Sequence, residues 1–199
     1  MRRRVHEAIS CLEQLGAHVT AVNLRGMNET AELAADITVG EALAYHWNWL
    51  RRRPGDYGPD LRERLEGSRN QPSVVYLQAQ ARTKAYRERL IEAMESVDVM
   101  AMPTLPVVAP PIEEQEIRIG RARENVRLAL LRLTRPGNLA GLPAISIPCG
   151  FSADGLPVGL QLMGHPLQEG TVLRAAYAYE NATSCCRKFP SDSGDVPAP

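Results

Sequence analysis

Two short apolar segments framed by glycines and prolines constrain the fold of this chain more than any other part of its sequence. They are residues 144–148 and 158–163, within LTRPGNLAGLPAISIPCGFSADGLPVGLQLMG at 133–164. Proline is tolerated at the ends and edges of sheets, so Pro143 and Pro148 predict the limits of one strand. The turn sequence SADG then leads to a second strand, LPVGLQLMG. The sequence thus predicts two neighbouring strands joined by a short turn.

The second of these strands has two distinct faces, because successive side chains of a strand point in opposite directions. One face carries Val158, Leu160 and Leu162, and the other carries Gly159, Gln161 and Met163. A bare backbone at Gly159 allows another element to approach the sheet closely. We therefore expect something to pack directly over this glycine.

Helical periodicity covers most of the remaining chain. The predicted helices end at Gly16, span residues 29–50, run through DLRERLEGS to Gly67, and span residues 73–97, 121–133 and 168–183. The helix over 121–133, RARENVRLALLRL, is expected to be well buried because more than half of its circumference is apolar. For the helix over 73–97, the expected inward side chains are Val74, Leu77, Ala81, Ala85, Ile91 and Met94.

Strands are predicted between some of these helices. AHVTAVNL at 17–24 suits a strand, and DVMAMPTLP contains a short apolar strand that ends at Pro103. A proline-rich, extended loop should follow to about Gly120. Helices that lead directly into strands are typical of an α/β fold. We expect an α/β fold class, with a mixed sheet and flanking helices.

Charge and composition exclude several classes of function. The 23 basic and 23 acidic residues balance, so no global field would attract nucleic acid or a membrane surface. The basic start, MRRRVHEAIS, leads into no long apolar stretch, so we expect a cytoplasmic chain without a signal peptide or membrane anchor. The four cysteines form no C-x-x-C pair and the four histidines do not cluster, so neither a metal nor a cofactor is expected. The segment SDSGDVPAP at 191–199 offers almost nothing to bury, so a disordered tail is expected over residues 187–199.

A search for nucleophiles identifies no catalytic residue. The sequence has neither a G-x-S-x-G elbow nor a phosphate-binding G-x-x-x-x-G-K-[ST] loop. Lys84 lies among like charges in a helix, and Ser146 lies between two isoleucines with no base close in sequence. Cys149 is interpreted as a small buried apolar residue rather than a thiolate. Thr104, Thr134 and Asn138 adjoin strand ends or turns, where they could contact a ligand or simply cap the backbone.

Three segments resemble the amidase signature family. NLAGLPAISIPCGF…GLPVGLQLMG…EGTVLRAAYAYE is similar to the family's C-terminal signature, and DVMAMPTLPVVAPPI is similar to its D-x-x-x-x-P-T-x-P segment. YGPDLRERLEGS…QAQARTKAYRERL resembles the helical region before them, so the match runs from about Arg4 to Pro190. The resemblance implies an α/β/α enzyme that hydrolyses carboxamides, or transfers their ammonia, with a serine, a second serine joined through a cis peptide, and a lysine.

The glycine- and serine-rich stretch that carries this triad in the family is missing from the sequence. The resemblance therefore implies that residues 1–186 are the C-terminal part of an amidase domain, with no catalytic residue of their own. By the same resemblance, Thr134 and Gly137 would contact the acyl part of a small-molecule amide substrate. Asn138 would brace the turn, and Thr104 would lie nearby.

Two departures from the family pattern bear on the substrate. Leu131 stands where the glutamine-dependent amidotransferases of the family carry an acidic residue, and the R-Y-G segment of those relatives is missing. Both departures favour a small or apolar amide over a role in charging transfer RNA. Three hypotheses remain open: an amidase piece completed by a separate polypeptide, a truncated non-catalytic remnant, and an interaction protein that kept the fold.

Overall fold

The computed structural model of the protein describes residues 1–24 and 26–185. Two short 3-10 helices span Met27–Glu29 and Pro54–Asp56. Across the described ranges the elements are α1 (Arg2–Gln14), α2 (Thr30–Arg52), α3 (Pro59–Gly67), α4 (Ser73–Ala93), β1 (Val99–Pro103), β2 (Glu116–Ile119), β3 (Ala122–Asn125), α5 (Val126–Leu131), α6 (Arg135–Ala140), β4 (Ala144–Phe151), β5 (Pro157–Gly164) and α7 (Glu169–Ala182).

The main sheet has three strands in the order β1-β5-β4, so β5 lies in the centre. Its register places Met100 opposite Met163 on one side and Ser146 opposite Gln161 on the other. The predicted α/β class with flanking helices is confirmed. Both pairings of these three strands are antiparallel, whereas a mixed sheet was expected. Among the described residues, no strand pairs with the outer edge of β1 or of β4.

The predicted strand over residues 17–24 is wrong. This segment follows Gly16, which has a φ of +100° at the end of α1, and it forms no ladder with another described strand. Val22 and Leu24 instead pack individually against the helices on one side of the sheet. The alternating apolar residues of 17–24 therefore make single side-chain contacts, and their backbone pairs with no described strand.

The two faces of β5 separate two hydrophobic clusters, as its alternating pattern predicted. One cluster places Val158, Leu160 and Leu162 against α1 and α7. The other places Met163 beside Met100 and against α2, α4 and α6. Helices therefore pack against both faces of β5.

The inward face of α4 was only partly predicted. Met94 is buried as expected, but the other buried positions of this helix are Ala79, Tyr86 and Leu90. Val74 and Leu77 are 52% and 61% exposed, and Ala81 and Ala85 are exposed as well. Two apolar faces compete on this helix, and packing against α2 and α6 selects the one that carries Tyr86.

The predicted helix over residues 121–133 begins later than expected. Its first part instead forms β3, which pairs with β2 of the expected loop in a hairpin that turns through Gly120 at a φ of +63°. Asn125 then caps α5 by accepting a hydrogen bond from the Leu128 N–H at 3.3 Å. This helix is not well buried, because Ala129 is the one residue of α5 that lies in the core, while Leu128 is exposed.

The bounds of α1, α2, α3, β1, β5 and α7 lie close to their predictions, whereas the short helix α6 was not predicted. Pro148 lies inside β4 rather than at its end, which an edge strand tolerates, and a register shift follows between Pro148 and Phe151. The predicted disordered tail at 187–199 lies outside the described residues. Within 1–24 and 26–185, no helix is long and apolar enough to cross a lipid bilayer.

Candidate functional site

Two hydroxyl groups meet over the backbone of the central strand. Thr104 Oγ1 and Ser146 Oγ lie 2.6 Å apart, at hydrogen-bonding distance, and either oxygen can donate. The Thr104 N–H donates to the Gly159 carbonyl at 3.0 Å, which places this threonine just beyond the end of β1. A Cβ on Gly159 would lie 2.7 Å from Thr104 Oγ1 and 3.0 Å from Ser146 Oγ. The close approach predicted for Gly159 is therefore present, and only glycine permits it.

A cavity of about 320 Å³ opens beside this hydroxyl pair. One wall is the β4–β5 ladder, and the other is the chain that follows β1. The lining residues are Met1, Thr104, Leu105, Val107, Val108, Ala109, Ser146, Ile147, Pro148, Pro157, Val158 and Gly159. Of the described residues that line it, none has a charged side chain. The cavity is apolar apart from the two hydroxyls and the exposed backbone.

Gln161 follows Gly159 on the same face of β5 and attaches the next loop to the sheet. Its side chain is only 5% exposed, and its Nε2 donates to the Leu133 carbonyl at 3.0 Å. A buried amide needs such a partner, because an unpaired polar group in the core is costly. Thr134 follows directly and donates from Oγ1 to the Leu131 carbonyl at 3.3 Å. Gln161 thereby fixes the start of α6 against the strand.

Gly137 and Asn138 lie one turn further along, in α6. A Cβ on Gly137 would lie 3.3 Å from Met163 Cε, so the helix backbone packs directly on β5. Asn138 is exposed, and its backbone shapes the turn: its N–H donates to the Thr134 carbonyl, and its carbonyl accepts from the Gly141 N–H. The hydrogen bonds described for this residue are those of its main chain, and a bracing role of its side chain stays a prediction.

Arg87 of α4 closes the end of the same helix. Its guanidinium donates to the carbonyl of Ala140 and, at 3.3 Å, to that of Gly141. Cationic donors are favourable at a helix C-terminus, where the backbone carbonyls lack partners. Gly141 then reverses the chain at a φ of +59°. The turn that carries Thr134 to Asn138 is therefore held at both of its ends.

Three of the four residues predicted to bind substrate lie along one face of β5, and the fourth, Asn138, is exposed on α6. Thr104 lies over Gly159, the Thr134 loop is tied to Gln161, and Gly137 packs on Met163. Gly159, Gln161 and Met163 are two residues apart along the strand, so neighbouring positions are separated by about 6.6 Å. Sequence reasoning identified Thr104 but missed its partner Ser146, which the register of β4 against β5 places next to it. The alternation of β4 could have indicated that Ser146 shares the Gly159 face.

Other reactive side chains lie away from this face. Cys149 is buried in the cluster beneath the opposite face, and burial raises the pKa of its thiol to about 11. A raised thiol pKa disfavours the thiolate that a nucleophile requires. Lys84 is exposed on α4, and the His165 ring lies with Nε2 2.8 Å from the Val97 carbonyl. Within the described ranges, no three His, Cys, Asp or Glu residues are grouped to hold a metal ion.

The sequence and fold are similar to those of known amidases. The profile of the Amidase family matches residues 1–173. An amidase from Pseudomonas putida is 36% identical over 187 residues, which are 94% of this chain and 40% of that protein. A component of the glutamyl-tRNA(Gln) amidotransferase from Synechococcus sp. (strain JA-2-3B'a(2-13)) is 32% identical over 213 aligned residues, covering 95% of this chain and 40% of the relative.

A crystal structure of an amidase superposes with a TM-score of 0.83 at 29% identity, covering 90% of this chain and 41% of that one. This chain thus spans about two fifths of the length of the relatives that it matches. The α/β architecture with flanking helices agrees with that similarity. Because the family profile covers nearly all of the described residues, the chain belongs to the amidase family.

Proposed function

We propose that residues 1–186 form the C-terminal part of an amidase signature hydrolase, which cleaves the C–N bond of carboxamides and releases ammonia. The family match over residues 1–173 carries this proposal. In it, Thr104, Thr134, Gly137 and Asn138 form one wall of the substrate pocket. A complementing Ser–cisSer–Lys segment supplies the chemistry, and the assembled enzyme works in the cytoplasm.

In this proposal the complementing segment carries out the chemistry and this chain positions the substrate. A serine of the complementing segment forms a bond to the amide carbon, the C–N bond breaks, and the nitrogen leaves as ammonia after protonation. Water then cleaves the acyl–serine ester to a carboxylic acid and restores the serine. This chain contributes position: it holds the acyl group against β5 so that the carbonyl faces the nucleophile. Correct placement alone supplies a large part of such rate accelerations.

The proposal names a hydrolase rather than an amidotransferase. One relative belongs to a glutamyl-tRNA(Gln) amidotransferase, so both activities occur among the similar proteins. Leu131 stands three residues before Thr134, where an acidic residue would be needed to hold the ammonium of glutamine. A leucine offers no such charge. This position therefore supports a small or apolar amide as the substrate.

Complementation tests the proposal directly. The chain is co-expressed with the remaining three fifths of the Pseudomonas putida amidase, and ammonia release is measured with a panel of neutral amides. We expect ammonia only when both parts are present, and none when the nucleophilic serine of the added part is replaced by alanine. A copurifying pair that releases no ammonia from any amide would refute the proposal.

A second candidate is a non-catalytic remnant or interaction protein that kept the fold. The exposed apolar face of α4 at Val74 and Leu77, together with the edges of β1 and β4 that no described strand pairs with, favours it. Such surfaces mark interaction sites or aggregation-prone regions. Size-exclusion chromatography and affinity capture discriminate the cases: a monodisperse chain with one specific partner and no amide turnover supports the interaction protein, and aggregation supports the remnant.

A further inference from the structure

We propose that Cys149 and Cys185 form a site of reversible oxidation, at which a hydroperoxide such as hydrogen peroxide joins the two thiols in a disulfide. Both cysteines are free thiols in this structure, Cys149 within β4 and Cys185 just after α7. They are far apart in sequence, so no local pattern indicates the pair. The proposal rests on the packing of α7 against β4, and it is independent of the proposed amide hydrolysis.

The position of the chain after α7 is the first support. Cys149 of β4 and Tyr179 of α7 are both buried in the hydrophobic cluster between the sheet and α1. The helix ends at Ala182, and Thr183 Oγ1 then donates to the Tyr179 carbonyl at 3.1 Å. This hydrogen bond holds the chain beside the last turn of the helix. Cys185 follows directly and is half-buried, so it lies on the same side of the sheet as Cys149.

Electrostatic contact between the side chains is the second support. Burial raises the pKa of the Cys149 thiol to about 11, and Cys185 contributes most among the neighbouring groups that change it. Burial also raises the pKa of the Tyr179 phenol, followed by the thiols of Cys185, Cys149 and Cys11. A neighbouring group shifts a pKa appreciably only at short range. The thiols of Cys149 and Cys185 therefore lie near each other, around the phenol of Tyr179.

The different exposure of the two thiols assigns the order in which they react. The sulfur of the half-buried Cys185 attacks one oxygen of hydrogen peroxide, the O–O bond breaks, and water leaves, which gives a sulfenic acid. The Cys149 sulfur then attacks the Cys185 sulfur, the S–O bond breaks, and the hydroxide leaves as water with the Cys149 proton. Two thiols are oxidised by two electrons in total, and one hydrogen peroxide is reduced to two waters.

Burial of Cys149 explains why this thiol resolves the sulfenic acid and does not react with peroxide first. Peroxide oxidises the thiolate, and a thiol with a pKa of about 11 is almost entirely protonated near neutral pH. Formation of the disulfide also protects Cys185 from further, irreversible oxidation. Cellular thiols reduce such a bond, so a disulfide formed in a reducing compartment is transient and suits the sensing of an oxidant.

Peroxide treatment of the purified, reduced chain tests the proposal. Free thiols are counted after denaturation, and linked peptides are identified by mass spectrometry after digestion under non-reducing conditions. We expect two of the four thiols to be lost, with the chain still a monomer on a non-reducing gel. The linked peptides should contain Cys149 and Cys185, and dithiothreitol should restore both thiols. A covalent dimer as the main product, or a link that uses Cys11, would overturn the proposal.

Cys185→Ser removes the thiol that reacts first, so the Cys149 thiol should be lost about tenfold more slowly or less. Cys11→Ser and Cys186→Ser are the matched controls, and each should form the same disulfide at the rate of the parent chain. Cys149→Ala should instead accumulate a sulfenic acid at Cys185, which dimedone labels. Circular dichroism checks the fold of each variant, and either Cys185→Ser or Cys149→Ala decides the result alone if the other does not fold.

Three outcomes with these variants contradict the proposal. The first is loss of the Cys149 thiol in Cys185→Ser at the rate of the parent chain. The second is loss of the disulfide in Cys186→Ser, which would assign the bond to the neighbouring cysteine. The third is an absence of dimedone labelling at Cys185 in Cys149→Ala. Amide turnover is not part of any of these measurements, so failure of the complementation experiment leaves their result intact.

Discussion

Gly164, the last residue of β5, lies directly against Val172 of α7. A Cβ on Gly164 would lie 2.5 Å from Val172 Cγ2, and Val172 is fully packed in the cluster between the sheet and α1. The missing side chain at one position therefore sets how closely the last helix approaches the central strand. Contacts of this kind make the stability of the chain sensitive to single, defined changes.

Gly164→Ala should lower the free energy of unfolding by about 1–3 kcal/mol, because an added methyl in a packed contact forces backbone or helix to move. Urea unfolding of the purified chain measures the effect. Gly170→Ala is the matched control, since it adds the same methyl to open space in α7. It should be neutral or stabilising by up to about 1 kcal/mol. Equal stabilities of the two variants would show that the Gly164 contact does not limit the packing.

Leu160→Ala should cost about 2–5 kcal/mol, the usual range for truncating a buried leucine. Leu160 lies at the centre of β5, fully buried and paired in register with Ile147 and Pro103. The control Leu173→Ala makes the same chemical change on the outer face of α7, where the side chain is 57% exposed, and should stay within about 0.5 kcal/mol. Thermal unfolding of both variants gives the comparison. A cost below that of the control would contradict the assignment of β5 as the core strand.

Arg87→Met should loosen the turn after α6, because it removes the guanidinium while it keeps an unbranched, helix-compatible side chain. The guanidinium donates to the Ala140 and Gly141 carbonyls, and loss of such a charged donor should cost about 1 kcal/mol or more. Hydrogen exchange should quicken at the amides of residues 138–142. Arg174→Met, an exposed change on α7, serves as the control and should leave that exchange unaltered. Unchanged protection in Arg87→Met would mean that Arg87 does not hold the turn.

Cys149 should make stability fall at alkaline pH. Burial raises the pKa of its thiol from an ordinary 9.0 to about 11, so the folded chain keeps the proton while the unfolded chain loses it. The stabilisation is fully present below pH 9 and is lost as the pH rises from 9 to 11. The difference in unfolding free energy between the parent chain and Cys149→Ala, measured from about pH 7 to pH 11, isolates this effect. A difference that stays constant across that interval would contradict it.

Local sequence patterns correctly predicted those elements in which the apolar residues define only one face that could be buried. The alternation of 158–163 predicted β5 and both of its faces, and the runs before Gly16 and after Gln168 predicted α1 and α7. The buried face of α4 was predicted wrongly, because Val74 and Leu77 on one face are as apolar as Ala79 and Leu90 on the other. Only the positions of α2 and α6 decide which face turns inward. The hairpin at 116–125 was missed since its pairing depends on a turn at Gly120 that helix-forming neighbours obscured.

The candidate site was predictable in its local features and unpredictable in its long-range ones. Thr104 follows a strand end, and Gly159 exposes bare backbone, so each could be identified alone. Ser146 is 42 residues from Thr104, and they meet only because β5 separates β1 from β4 by one strand width. The hydroxyl pair is therefore a consequence of strand order and register, which no local pattern contains.

The strand order also has a consequence for biosynthesis. Among the described strands, β5 is the last to be synthesised, and β1 and β4 pair with no other strand of this set. Until residues 157–164 have emerged, a nascent chain has no completed ladder on which α1 and the helices between 30 and 93 could dock. The sides of these helices that face the sheet stay uncovered over that interval, which leaves apolar surface exposed during translation.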